Sequence, residues 1–127
     1  MSERAKYDIR VSARTAYLAD QSDAAAGRYV FAYTITISNV GTVSAQLVSR
    51  HWIITDANGH TQEVRGLGGV GEQPVRGRRA SFVVTSGSTL ATGVGTMRGS
   101  YRMLAEDGQE FDTPIPQFTL SIPRVLH

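Results

Sequence analysis

The chain has no cysteine. That single absence removes disulfide staples, thiolate nucleophiles and thiolate metal sites together. Lysine is almost as scarce: Lys6 is the only one, so the remaining cations are arginines and three histidines. A strong excess of either charge is also missing, because the formal net charge is only +2. No broad basic field for nucleic acid or an anionic membrane follows from that balance. No apolar run nears the roughly 20 residues of a transmembrane helix. The opening residues Met1 to Lys6 lack the hydrophobic segment of a secretory signal, and the expected compartment is the cytoplasm.

What is present fits one ordinary globular unit. The 127 residues are enough for a single core, so one domain spanning 1–127 is expected. A hydrophobic share of 41% and a charged share of 19% are those of a folded domain. The preference for arginine over lysine has two readings. Arginine's planar fork suits bidentate anion recognition, but a coding bias yields the same composition, and we favour the bias.

The middle of the chain organises the rest. His51-Trp52-Ile53-Ile54-Thr55 and Thr61-Gln62-Glu63-Val64-Arg65 are two β-prone runs separated by Asp56-Ala57-Asn58-Gly59. Asn and Gly tolerate the positive φ of a tight reversal, which makes this a hairpin. With Asp56 opposite His60, Trp52 faces Val64 and Ile54 faces Gln62. Upstream, Tyr7 to Tyr17 and Tyr29 to Ile37 alternate with a period of two. The second run is apolar or β-branched on both faces, which predicts a central strand. Ala19 to Gly27 reads as an exposed loop and Asn39 to Thr42 as a turn. Downstream, Ala80 to Ser86 reads as a strand and Gly87 to Gly93 as a loop. Met97, Gly99, Tyr101 and Met103 share one face of the next strand. Asp107-Gly108 lies at a second hairpin turn, and a last strand covers about Glu110 to Ile122. Pro114, Pro116 and Pro123 each delete a ladder donor, so that strand is an edge or is broken. No stretch shows a helical stripe. The fold class is therefore all-β, an immunoglobulin-like or fibronectin type III-like sandwich of about seven antiparallel strands. Its expected core is Tyr29, Phe31, Tyr33, Trp52, Phe82, Tyr101, Phe111 and Phe118.

Reactive constellations are scarce. Gly66-Leu67-Gly68-Gly69-Val70-Gly71 matches GxGxxG after a strand, but a dinucleotide site also needs a helix to follow. Pro74 and Gly77 stand where that helix would be. The run reads as a glycine-rich connection, or as an anion-binding nest of backbone N–H groups with Arg65 and Arg76 near its ends. His51 and His60 fall at opposite ends of the hairpin, and with His127 they give no convergent ligand set. Glu106, Asp107, Glu110 and Asp112 flank a solvated turn. Ser86 has neither the nucleophile turn nor a base nearby. Arg76, Arg78 and Arg79 cluster, with Arg98 and Arg102 further on, yet the interleaved aromatics look buried, so nucleic-acid binding is not expected. No catalytic residue, metal site or cofactor is expected.

HWIITD at 51–56 and the run Val64 to Pro74 resemble the signature of the ApaG family. Thr85-Ser86-Gly87, Leu90 and Gly95 to Met103 extend the resemblance over nearly the whole chain. It implies a fibronectin-III-like sandwich. It also implies a link to diadenosine tetraphosphate metabolism and to cobalt and magnesium tolerance, since bacterial members are encoded beside a diadenosine tetraphosphate hydrolase. Eukaryotic relatives use the domain as an accessory module, in an F-box subunit of a ubiquitin ligase and in a DNA-polymerase-interacting protein. Members commonly carry Pro-Gly where this chain has Arg78-Arg79, so the turn there differs. The resemblance supplies no catalytic residue. The expected function is a non-enzymatic binding module for a protein partner. The alternative is a weak phosphate or nucleotide sensor using Arg65, Gly66, Gly68, Gly69, Gly71 and Arg76, and a hydrolase ranks third.

Overall fold

The computed structural model describes residues 6–67 and 81–123. Seven antiparallel strands form two packed sheets: β1 (Ile9–Tyr17), β2 (Tyr29–Asn39), β3 (Ala45–Asp56), β4 (Thr61–Leu67), β5 (Ser81–Leu90), β6 (Val94–Ala105) and β7 (Glu110–Ser121). One sheet has the order β1-β2-β5 and the other β4-β3-β6-β7. The fold is thus the β-sandwich of immunoglobulin and fibronectin type III kind that the sequence predicts. The fourth strand joins the sheet of the third, sixth and seventh.

The central hairpin has the expected register. Trp52 pairs with Val64 and Ile54 with Gln62. Asp56 holds the turn: its Oδ1 accepts from the N–H of Asn58 at 2.8 Å and of His60 at 3.0 Å. Gly59 takes the left-handed φ of +84° that closes it. Strand β2 is central, as its two apolar faces require. Strand β7 is an edge, and its ladder to β6 shifts register between Met97 and Gly99, next to Pro116.

The core joins both sheets. Phe31, Tyr33, Trp52 and Tyr101 are buried, while Tyr29, Phe82, Phe111 and Phe118 are half-buried against them. Ile35, Ile37, Met97, Met103 and Leu120 complete it. Trp52 stands at the centre of the aromatic packing, with Tyr33, Tyr101 and Phe118 at centroid distances of 5.5, 6.2 and 5.9 Å in edge-on geometry. Buried Asn39 clamps the following turn, donating from Nδ2 to the Val43 carbonyl and accepting from the Gly41 N–H.

Two segments differ from expectation. The Ala19 to Gly27 loop contains short 3-10 turns at Ala19–Gln21 and Ala24–Ala26, the second capped by Asp23. Gly87 to Leu90 is not loop but the end of β5. The length of β2 explains this, because Ala32 to Tyr29 offer ladder partners to Gly87 through Leu90. Long-range pairing there outweighs the weak β-propensity of a Gly-Ser-Thr stretch.

One lateral side of the sandwich is shut. Strand β1 packs along β7, and the Tyr7 ring lies 5.1 Å from that of Phe111. Tyr7 Oη donates to Asp107 Oδ2 at 2.6 Å, and Lys6 Nζ lies 3.0 Å from the same oxygen. The Tyr7 hydroxyl, the Gln109 N–H and Lys6 together hold the Asp107 carboxyl at about 2, below its ordinary 3.8. A carboxylate with a depressed pKa contributes stability that is present above the unfolded value and lost as pH falls through the folded one. Replacing Asp107 with Asn should therefore lower the melting temperature at neutral pH. The gap to wild type should close between pH 3.8 and about 2. Thermal melts across that range check it, and a gap that persists at pH 2 would refute the assignment.

Candidate binding cleft

Among the described residues the other lateral side is open. Strands β4 and β5 are the outer strands of their sheets there and share no ladder. Between them a cleft of about 710 Å³ runs down to the core aromatics. Its walls are Leu47, Arg50, Trp52 and Ile54 from β3, Gln62 and Val64 from β4, and both faces of β5 from Phe82 to Thr89, with Tyr33, Ile35 and Tyr101 behind.

Arg50 is the unexpected member. Alternation from Ala45 and Leu47 would place odd-numbered residues of β3 inward. The β3–β6 ladder shifts register between Leu47 and Ser49, with Val48 as the extra residue. Beyond this bulge the even positions Arg50, Trp52 and Ile54 face inward, which is how bulges re-aim side chains. Arg50 lies opposite Tyr101 on β6 and Gly66 on β4. Its guanidinium extends over Gly66, where a Cβ would stand 3.4 Å from Nε. The sequence carries a signal for this, since the apolar parity changes between Leu47 and Trp52. Val48 and Ile53 obscure it by being apolar themselves.

The phenols of Tyr33 and Tyr101 meet at the floor. Burial pushes the Tyr101 hydroxyl up to about 12, with the neighbouring Tyr33 adding to the rise and Arg50 opposing it. The Tyr101 ring is therefore a neutral donor at physiological pH. Among the described residues neither hydroxyl has a hydrogen-bond partner. None of their side-chain nitrogens or oxygens is sealed from the surface without one.

The residues singled out from sequence are placed as follows. Arg65 points to the opposite face of β4, 3.4 Å from Glu63. Gly66 is part of β4, beneath Arg50. Gly68, Gly69, Gly71 and Arg76 lie outside the described residues, as do Arg78 and Arg79. His51 pairs with Glu63 at 3.0 Å and His60 lies 3.4 Å from Asp56. The His51 ring nitrogen lowers the Glu63 carboxyl below its usual range. Arg102 is held by Glu110 at 3.3 Å and Asp112 at 3.0 Å. No three His, Asp or Glu side chains among the described residues stand close enough together to hold a metal. No helix among them is long and apolar enough to cross a membrane.

Known proteins with similar chains agree with this architecture. A profile of the ApaG domain matches residues 19–105. Protein ApaG of Thiobacillus denitrificans is 65% identical over 127 residues, covering all of both chains. Protein ApaG of Nitrosomonas eutropha is 60% identical over the same full length. A crystal structure assigned to the ApaA protein of Bordetella pertussis superposes with a TM-score of 0.92 at 48% identity, covering 97% of this chain and 100% of that one. The chain belongs to the ApaG family.

Proposed function

We propose that the protein is a non-enzymatic binding domain that engages a protein partner by adding one of the partner's strands to the free edge of β5. The observation that carries this reading is the character of that edge. Natural sheets guard exposed edges with proline, charge or a covering element. Strand β7 carries Pro114 and Pro116, and β1 carries Arg10 and Arg14 and packs along β7. Strand β4 carries Glu63 and Arg65. Strand β5 runs for 10 residues, SFVVTSGSTL, with neither proline nor charge. Val83 on its outer face is 58% exposed. An edge of that length, with no covering element among the described residues, suits β-augmentation, in which backbone groups supply affinity and alternate side chains supply selectivity.

The test pairs capture with hydrogen exchange. Replacing Val83 and Thr85 together by Lys puts two charges on the edge at exposed positions, at a stability cost within about 1 kcal/mol. The wild-type domain should retain a partner that this variant releases, and the bound partner should slow exchange of β5 backbone amides. Equal retention by the variant, or protection confined to other strands, rejects the strand-addition mode. Turnover of a nucleotide by the pure domain, with no partner recovered, would restore the hydrolase reading.

A further inference from the structure

We propose that the cleft between β4 and β5 is a binding site for a small organic anion, a flat apolar group bearing one carboxylate or phosphate. The cleft borders the β5 edge, since Val83, Thr85 and Thr89 also line it, but the anion would be held by side chains of β2, β3 and β6 where strand addition uses β5 backbone groups. The volume of about 710 Å³ falls in the range of small-molecule sites. Such sites combine apolar walls with a few convergent polar groups. Here Val64, Phe82 and Trp52 form the walls, and the polar groups are the Arg50 guanidinium and the two phenols.

Three features converge on an anion. First, the Val48 bulge turns an arginine into a face otherwise filled by Trp52 and Ile54. Second, Arg50 makes no ion pair and donates no side-chain hydrogen bond among the described residues, and unlike Arg14, Arg28 and Arg98, which share that lack, it lines the cleft. Arg50 is exposed at the mouth of the cleft, and its planar fork can donate charge-assisted hydrogen bonds to an incoming anion. Third, Tyr33 and Tyr101 line the same cleft and carry O–H groups able to donate to an anion. Gly66 completes the arrangement, because a larger residue opposite Arg50 would occupy the mouth. The flat apolar half follows from the walls, where a ring can stack edge-on against Trp52 in the geometry its neighbours already use.

Trp52 is the only tryptophan, so its fluorescence reports on the floor of the cleft directly. Benzoate and phenyl phosphate serve as probes, with benzyl alcohol and inorganic phosphate as controls for the ring and the charge. At least one of the two aromatic anions should change Trp52 emission saturably, with a dissociation constant on the order of 1 mM for so small a fragment. Whichever binds more tightly identifies carboxylate or phosphate as the favoured group. Arg50→Gln should weaken that anion about tenfold and leave benzyl alcohol unaffected, matching the loss of a charge-assisted hydrogen bond. Gly66→Leu, which fills the mouth, should weaken both. Heat melts of the two variants confirm folding, and the probe titrations on the wild-type chain stand if either variant fails to fold. The site is rejected if neither aromatic anion saturates, if Arg50→Gln binds as tightly as wild type, or if inorganic phosphate reproduces the full response.

Discussion

Replacing Trp52 with alanine is expected to remove about 3–5 kcal/mol of unfolding free energy, the cost typical of deleting a large buried aromatic side chain. The site predicts the upper part of that range. Trp52 is 4% exposed and touches aromatic rings from both sheets, with Tyr33 on one and Tyr101 and Phe118 on the other. Each edge-on pair adds roughly 0.5–1.5 kcal/mol beyond the area it buries. The hole could not close easily, since Tyr33 and Tyr101 are fixed on opposing strands. A domain of this size has only about 5–15 kcal/mol in total. Urea unfolding followed by circular dichroism would show the loss as a lower midpoint at unchanged slope. A loss below about 1 kcal/mol would mean that the indole is not the hub of the core. Trp52→Phe, which keeps a ring in place, should recover a large part of the difference.

A second expected result concerns a residue with no side chain. Gly99→Ala should cost about 3 kcal/mol or more, at the high end for overpacking. Gly99 stands opposite Trp52 in the β3–β6 ladder, and a Cβ there would fall on the His51 carbonyl oxygen. Because the obstacle is backbone, no rotamer change relieves it. The two central strands must separate or the register shift between β6 and β7 must slide. Gly108 in the β6–β7 turn provides the contrast. Its φ is +89°, but a Cβ there meets nothing within 4 Å, so Gly108→Ala pays only local strain of about 1 kcal/mol. Comparable losses for the two substitutions would show that the approach of β3 to β6 is looser than the structure has it.

The parts of the fold legible in the sequence are those set by local rules. Asn58-Gly59 marked the reversal, and alternation on either side then determined that Trp52 faces Val64. The prolines of β7 required an edge because a missing N–H cannot serve a central ladder. Long-range pairing was harder to see. Gly87 to Leu90 looks like loop chemistry and becomes strand only because β2 continues beside it. The candidate cleft was hidden for a related reason. Alternation reveals faces within a strand, whereas Arg50 reaches the inner face through a one-residue slip against β6. The spacing of Leu47 and Trp52 records the slip, but only a partner strand shows where it happens. Glycine spacing points to residues 66–71, of which 68–71 lie outside the described residues, and nothing in that spacing signals the cleft that Tyr33, Arg50 and Tyr101 line.

The closure of one lateral side by β1 and β7 also has a meaning in time. Tyr7 and Asp107, which bond across that side, are 100 residues apart in the chain. At ~5–20 residues per second, a ribosome releases the first roughly 5–20 s before the second. Strands β1, β2 and β5 are all synthesised before β7 exists, so the three-stranded sheet can form early with its β1 flank uncovered. The aromatic and aliphatic side chains that β7 later buries stay in water for that interval. Newly made chains then rely on Arg10 and Arg14 alone to discourage pairing along β1, before the last strand arrives.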